Sequence, residues 1–568
     1  MDCKTRILSD NYYDIITDYP LRTVDTDRYD LCSVGVDDFY HIVYVNRVGV
    51  PELIDDFFDY QNIPKLYGLM QTDRVAAGFE PNVLVASGIT QVQRAPLSLT
   101  GEGVVVCIID TGIDYRNPVF LDGAGNSRIL SIWDQTVQEG TPPEGFSYGS
   151  EYTREQINQA LLSENPFSVV PSRDENGHGT AMAGVAAGSN LGGGYTYLGA
   201  APDAELVIVK LKECKPYLRD FYLVPEGVPA YQENDIMLAV AYADSFAQTF
   251  RRPVVICLGI GTNMGDHNGS SFLSGYLNSV AIQRSRAVVV CGGNEGNAAH
   301  HYHGRLSLEN NNRVNVEIRV GESSRGFYLE LWGSVPDVFN LTIRSPGGET
   351  IPPIRLINRQ SITYGFIYER TQITVEGTLV ETASGEQVIR FRIQDPTPGI
   401  WSFQVAAVGE VYNGEFHMWL PITQFLDTQV YFLESSPYVT LTEPAMARNV
   451  ISVSTYNSAN NSFYTESGRG FDRTGNIRPD LAAPGVNIPT VLGRMSGSSL
   501  AAAVTTGAVA QFLQWAVVEG NSPNAQSREI KNYFIRGASR DADLNYPNRE
   551  WGYGRLDVAG VFDALIGV

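Results

Sequence analysis

Three short segments carry the residue types from which a reactive hydroxyl can be built: Asp110-Thr-Gly-Ile-Asp114, Gly177-His178-Gly179-Thr180 and Gly497-Ser498-Ser499-Leu500-Ala501. A serine hydroxyl is a weak nucleophile until a base takes its proton, and that base needs a carboxylate to fix its tautomer. Asp110 closes an apolar run at 104–109 that reads as a strand buried on both faces, and the Thr-Gly after it turns the chain. Its carboxylate is therefore expected at the carboxyl edge of a parallel sheet, where α/β folds collect their sites. His178 stands between two glycines and leads into an Ala/Gly-rich helical run, so the helix can begin close to the sheet with the imidazole at its mouth. Ser499 opens the helical run 500–510, which places its own N–H in a first turn, free of intrahelical acceptors and able to donate to a developing oxyanion.

A second oxyanion donor is expected in Asn294, within Cys291-Gly-Gly-Asn-Glu-Gly296 at the end of a buried strand. A side-chain amide in that role is worth about 3 kcal/mol to a transition state. Taken singly, each segment has an ordinary structural use: a capping Asp, a structural His, a Ser N-cap, a turn Asn. Together they point to acyl transfer by a Ser-His-Asp site, with protein or peptide as substrate. A noncatalytic protein on the same fold is distinguished by failure of a fluorophosphonate to label Ser499. A carbohydrate-binding role would need an exposed aromatic platform.

These segments must be held by a large frame. A chain of 568 residues with 43% hydrophobic content has room for two to four domains. Apolar runs at 104–109, 205–211, 254–258 and 287–291 alternate with helical patterns such as 234–243, which predicts a doubly wound parallel α/β sheet. From 304 to 440 the pattern changes to short alternating strands at 314–320, 327–332, 340–343, 373–380, 388–393 and 401–408, with Pro/Gly turns between them. That spacing predicts an inserted β-sandwich or jelly roll. The α/β pattern resumes at 449–453, so residues 81–303 and 441–568 are expected to form one core. Residues 1–80 read as a small α+β unit, with strands at 12–19 and 39–45 flanking a helix at 51–59.

With 41 basic against 63 acidic side chains, the net charge of −22 repels polyanions, so neither nucleic acid nor an anionic membrane is expected as a partner. No apolar run follows Met1-Asp2-Cys3-Lys4-Thr5 and none of about 18 residues appears later, so neither a secretion signal nor a membrane span is expected. The six cysteines are sparse and are expected to be buried reduced thiols. No cofactor is expected. The run His300-His301-Tyr302-His303 lacks the remaining ligands of a metal site, and the turn at 122–126 misses the calcium-loop spacing.

The four segments in this order resemble the subtilisin-like serine proteases, over about 101–300 and 445–565. The resemblance implies a triad of Asp110, His178 and Ser499, with Asn294 completing the oxyanion hole. It also implies a substrate-binding role for Leu258-Gly259 and Gly292-Gly293, with 206–212 as the second strand flanking an extended substrate. Two departures stand out. Ala503 and Val504 occupy the place of the usual Pro and His after the nucleophile, and Cys257 stands where serine is usual.

The segments Ile132-Trp-Asp-Gln-Thr136, Gly265-Asp-His-Asn-Gly269, Asn294-Glu-Gly-Asn-Ala-Ala-His-His301 and Asn548-Arg-Glu-Trp-Gly-Tyr-Gly-Arg-Leu-Asp557 are similar to those of the germination-specific subtilases of clostridial spore formers. That likeness implies an N-terminal prodomain acting as intramolecular chaperone, a jelly roll at 304–440, and cleavage of a spore-cortex hydrolase proenzyme. It further implies cytoplasmic synthesis with deposition in the spore. Residues 87–96 resemble the start of mature subtilases, so self-cleavage is expected between about 66 and 82, with Tyr67-Gly-Leu-Met70 resting in the cleft as its product.

Overall fold

The computed structural model describes residues 3–19, 30–49, 59–70, 82–189, 198–354 and 360–566. The helix expected at 51–59 lies almost wholly outside the described residues.

The apolar runs form one nine-stranded sheet. Its central strands are parallel, in the order Ile451–Asn457, Arg286–Cys291, Val254–Leu258, Val105–Asp110, Glu205–Lys210 and Ile129–Asp134. Each central strand is buried on both faces because alternate side chains enter different cores. Val106, Ile108, Val255 and Val289 pack under the helices His178–Ala187 and Ser498–Leu513. Val105, Ile109, Ile256 and Val290 pack under Glu233–Phe250 and Phe272–Ala281. This is the doubly wound arrangement that near-continuous apolar strands dictate. Among the described residues one helical stretch, Ser498–Val518, is long and apolar enough to cross a membrane, yet 83% of its apolar window is buried in the core.

Among the described residues of 301–354 and 360–432, two antiparallel sheets of six and five strands close on one apolar core, including Phe391, Phe403, Trp401 and Phe416. The first strand, His301–Arg305, begins three residues before the expected boundary. Five strands carry no sequence expectation: His301–Arg305, Thr350–Ile354, Gln360–Gly365, Glu415–Trp419 and Val430–Phe432. Burial along Gln360–Gly365 alternates only weakly, which is how an edge strand escapes a pattern search. The histidines of this unit stack with Trp419 and one another. Trp419 lies between His267 and His301, at 4.1 and 4.7 Å between ring centres, and His417 stacks on His303 at 4.4 Å. His267 belongs to the α/β core, so the stack joins the two units.

At the N-terminus, Cys3–Leu8 packs with a three-stranded antiparallel sheet of Tyr12–Thr17, His41–Asn46 and Leu31–Gly35. Its inner face merges with the core through Ile16, Ile42 and Tyr44. Asp14, fully buried, meets Lys215 at 2.5 Å and accepts from Gln232 at 2.6 Å. The expectation of six reduced thiols is corrected here: Cys3 and Cys32 are joined in a disulfide, while Cys107, Cys214, Cys257 and Cys291 are free and buried. Neither bonded residue stands in a long apolar run, and only folding brings the two together across 29 positions.

Candidate active site

Asp110 is the last residue of its strand, His178 the first of its helix and Ser499 the second of its own. The helix of His178 can approach this strand end because position 179 has no side chain. A Cβ there would lie 3.1 Å from Gly112 N and press on the Gly112 carbonyl. Asp110 Oδ1 faces His178 Nδ1 at 2.8 Å, and His178 Nε2 faces Ser499 Oγ at 2.9 Å. All three side chains are buried. Burial alone lowers the imidazole pKa, but the Asp110 charge and hydrogen bond outweigh it, and the net direction is upward from 6.5. The helix of Ser499 stays regular through Ala503 and Val504, so the departure from the usual sequence leaves the hydroxyl in place.

Asn294 lies beside that helix start, its Oδ1 accepting from Ser498 N at 2.9 Å. This bond turns the oxygen end of the carboxamide toward the helix and sets the NH2 on the other side of Cγ. Asp174 escaped the sequence reading. Its two oxygens accept from Thr111 Oγ1 and Gly177 N, and from Thr180 N and Oγ1, all between 2.6 and 2.9 Å. It thereby ties the turn after Asp110 to the first turn of the His178 helix. An acidic residue four positions before a helical His is the signal that could have found it.

The cleft beside Ser499 holds a segment of the same chain. Leu66–Leu69 is the middle strand of a small antiparallel sheet, between Tyr231–Gln232 and Ile260–Gly261. The pairing ends with Met70 N donating to Gly259 O at 3.0 Å. Ser499 Oγ, besides facing His178, lies 3.2 Å from the Met70 carbonyl oxygen. Of the expected binding residues, Gly259 thus meets the segment directly, and Leu258 shares an apolar cluster with Tyr67 and Leu69. A Cβ on Gly293 would lie 2.5 Å from Thr442 Cγ2, and one on Gly292 would meet the Val453 carbonyl. Thr442 Oγ1 in turn meets Met70 Sδ at 3.9 Å. The expectation for 206–212 is corrected. Glu205–Lys210 lies inside the large sheet with a neighbour on each edge, so flanking the segment falls to Tyr231–Gln232. Cys257 sits in a buried strand, where desolvation pushes its thiol up to about 12, so it offers no competing nucleophile.

This sheet, these helix starts and the segment order define a class. The sequence profile of the Subtilase family matches residues 101–415 and 402–554, and the chain belongs to that family, carrying its serine peptidase domain. Among solved structures it is similar to the Clostridium perfringens CspB protease, with 32% identity and a TM-score of 0.75, covering 86% of this chain and 98% of that one. It is also similar to the serine protease AprX of Bacillus subtilis, 31% identical over 176 residues. A third relative is the subtilisin-like protease SBT3.6 of Arabidopsis thaliana, 25% identical over 217 residues. These two alignments span 31% and 26% of the relatives' lengths, and 31% and 34% of this chain.

Proposed function

We propose that this protein is an active serine endopeptidase that cleaves its own chain after Met70. Ser499 attacks the carbonyl carbon of the scissile bond while His178 Nε2 takes its proton. Asp110 holds the imidazole with its other proton on Nδ1 and stabilises the cation that forms. The Ser499 N–H and the Asn294 amide receive the oxyanion, and His178 then returns the proton to the leaving amine. Water releases the acyl group by the same steps in reverse order.

The observation that carries this reading is the Met70 carbonyl, 3.2 Å from Ser499 Oγ at the end of a strand paired on both edges. The N-terminal unit, with its buried Asp14–Lys215 pair, fits a prodomain that assists folding and delivers residues 66–70 to the cleft. Residues 71–81 lie outside the described residues, so the bond itself is located by its Met70 side. Intact mass and N-terminal sequencing test the proposal: wild type is expected to begin at Gln71 and Ser499→Ala to remain full length. Equal full-length masses refute the self-cleavage, and no fluorophosphonate labelling of Ser499 in a folded sample refutes the active endopeptidase.

For the substrate in trans, we propose the proenzyme of a spore-cortex hydrolase and deposition of the protease in the spore, with residues 301–432 as the jelly roll of that group. The likeness to the CspB protease over most of both chains supports this reading. Immunodetection in dormant spores against vegetative cells tests it, and signal confined to vegetative cells refutes it.

A further inference from the structure

Gly68 stands third from the end of the segment that rests in the cleft, opposite Gly261 of the flanking strand. Its backbone does not call for glycine, because Gly68 has no positive φ. What it lacks is space. A Cβ built there would lie 2.5 Å from Ile422 Cδ1 and 2.8 Å from Gln424 Cδ, with Gln424 Nε2 pressed still closer. Contacts under about 3.5 Å between carbons are repulsive.

The roof that takes this space is a single 3₁₀ turn, Thr423–Phe425, reached four residues after the strand Glu415–Trp419. It is pinned on all sides. Gln424 Nε2 donates to the Leu69 carbonyl, so swinging it away gives up a hydrogen bond to the segment it covers. Thr423 N and Oγ1 donate to the two oxygens of Glu295, at 3.0 and 3.2 Å, and His300 Nδ1 meets the same carboxylate at 2.6 Å. Asn263 Nδ2 donates to the Leu420 carbonyl at 3.2 Å, and Ile422 and Phe425 are buried in the apolar core. These anchors fix the backbone of the roof, so room for an added methyl group must come from the Ile422 and Gln424 side chains: Ile422 is buried among apolar neighbours, and Gln424 moves only by breaking its bond to the Leu69 carbonyl. Glu295 directly follows Asn294, so any displacement of the roof pulls on the residue beside the oxyanion donor.

We propose that this protease selects glycine at the third residue before the scissile bond, and that Ile422 and Gln424 are the specificity-determining residues that impose the choice. The inference rests on the reading of residues 66–70 as a bound product. Any polypeptide entering the same strand position meets the same roof, so the requirement extends from self-cleavage to substrates in trans. Side chains at this position are excluded by shape, and discrimination of alanine from glycine is the sharpest consequence.

The test follows self-cleavage of the full chain by intact mass in four proteins: wild type, Gly68→Ala, Ile422→Ala/Gln424→Ala, and the three substitutions combined. Gly68→Ala is expected to slow processing about ten- to a hundredfold, the scale of a strained overpacking. The combined variant is expected to return to within a few-fold of Ile422→Ala/Gln424→Ala. A Gly68→Ala chain that processes as fast as wild type overturns the inference, and so does a combined variant as slow as Gly68→Ala. Both outcomes leave the endopeptidase reading standing. A wild type that neither shortens nor labels with fluorophosphonate takes both down. To guard against misfolded variants, processed wild type is given two quenched peptides of residues 65–74, one with alanine in place of Gly68. Cleavage of both at one rate overturns the inference independently of any substitution in the protein.

Discussion

Replacing Asp110 by asparagine separates the carboxylate's charge from its shape. Asp110 Oδ1 takes both the Thr111 N–H, at 2.7 Å, and His178 Nδ1, at 2.8 Å, while Oδ2 is buried without a hydrogen-bond partner among the described residues. An asparagine that keeps its oxygen toward both donors buries an NH2 where Oδ2 was. One that flips confronts Thr111 N–H and His178 with a donor, forcing Nδ1 to accept and leaving the Nε2 proton aimed at Ser499. Either way the imidazolium formed on attack loses its counter-charge. For unit charges about 4 Å apart at an effective dielectric near 20 that is about 4 kcal/mol, or roughly 10³-fold in rate. The wrong tautomer brings the loss toward about 10⁴-fold. The rate of self-cleavage, followed by intact mass across the neutral pH range, reads both effects. In the wild type the base is neutral only above a pKa raised from 6.5, so the rate is expected to climb with pH through that raised value. In Asp110→Asn burial is opposed only by the Asp174 charge, the smallest of the influences on the ring, so the residual activity should show its climb at lower pH than in the wild type. A variant within tenfold of wild type, with its climb at the same pH, refutes the assignment of Asp110.

Asp174→Ala, which removes four hydrogen bonds between the Asp110 turn and the His178 helix, should slow self-cleavage and also lower stability by about 1–3 kcal/mol, read as a melting shift. A slower but equally stable variant contradicts the tying role. Asp14→Ala leaves the buried Lys215 ammonium without its bonded carboxylate, holding the Tyr12 and Arg6 carbonyls, a loss of about 3–5 kcal/mol measurable by denaturant titration of the Ser499→Ala full-length chain. An unchanged midpoint refutes the clamp. Acid should loosen the joint between the β unit and the core. Burial first, with the Arg473 charge, depresses the His267 pKa from 6.5 to about 4 against two backbone carbonyls, so its contribution is present above 6.5 and lost as pH falls toward about 4. His267→Phe, which keeps the stack on Trp419, should flatten the fall in melting temperature across that window, and an identical fall in both proteins disproves the coupling.

The meeting of Asp110, His178 and Ser499 was legible in the sequence because its parts are local. A strand-ending Asp before Thr-Gly, a His between glycines, and a Ser before a run of small helical residues each fix backbone geometry within a few positions. The packing of helices on a parallel sheet then has little choice but to gather them. Alternating apolar runs likewise announced the doubly wound core, since a strand buried on both faces needs apolar side chains throughout. Even the segment in the cleft was readable as far as residues 67–70, from its distance to the start of the mature-like region.

What only the tertiary structure decided are the pairings between distant segments. The Cys3–Cys32 bond, the choice of Tyr231–Gln232 over residues 206–212 as flanking strand, and the arrival of Ile422 and Gln424 above Gly68 all depend on which surfaces fold against each other. No local propensity encodes them. A turn more than 350 residues away becomes the ceiling of the cleft because the β unit returns to the core through Glu295, and that steric fact has no signature in the order of the amino acids.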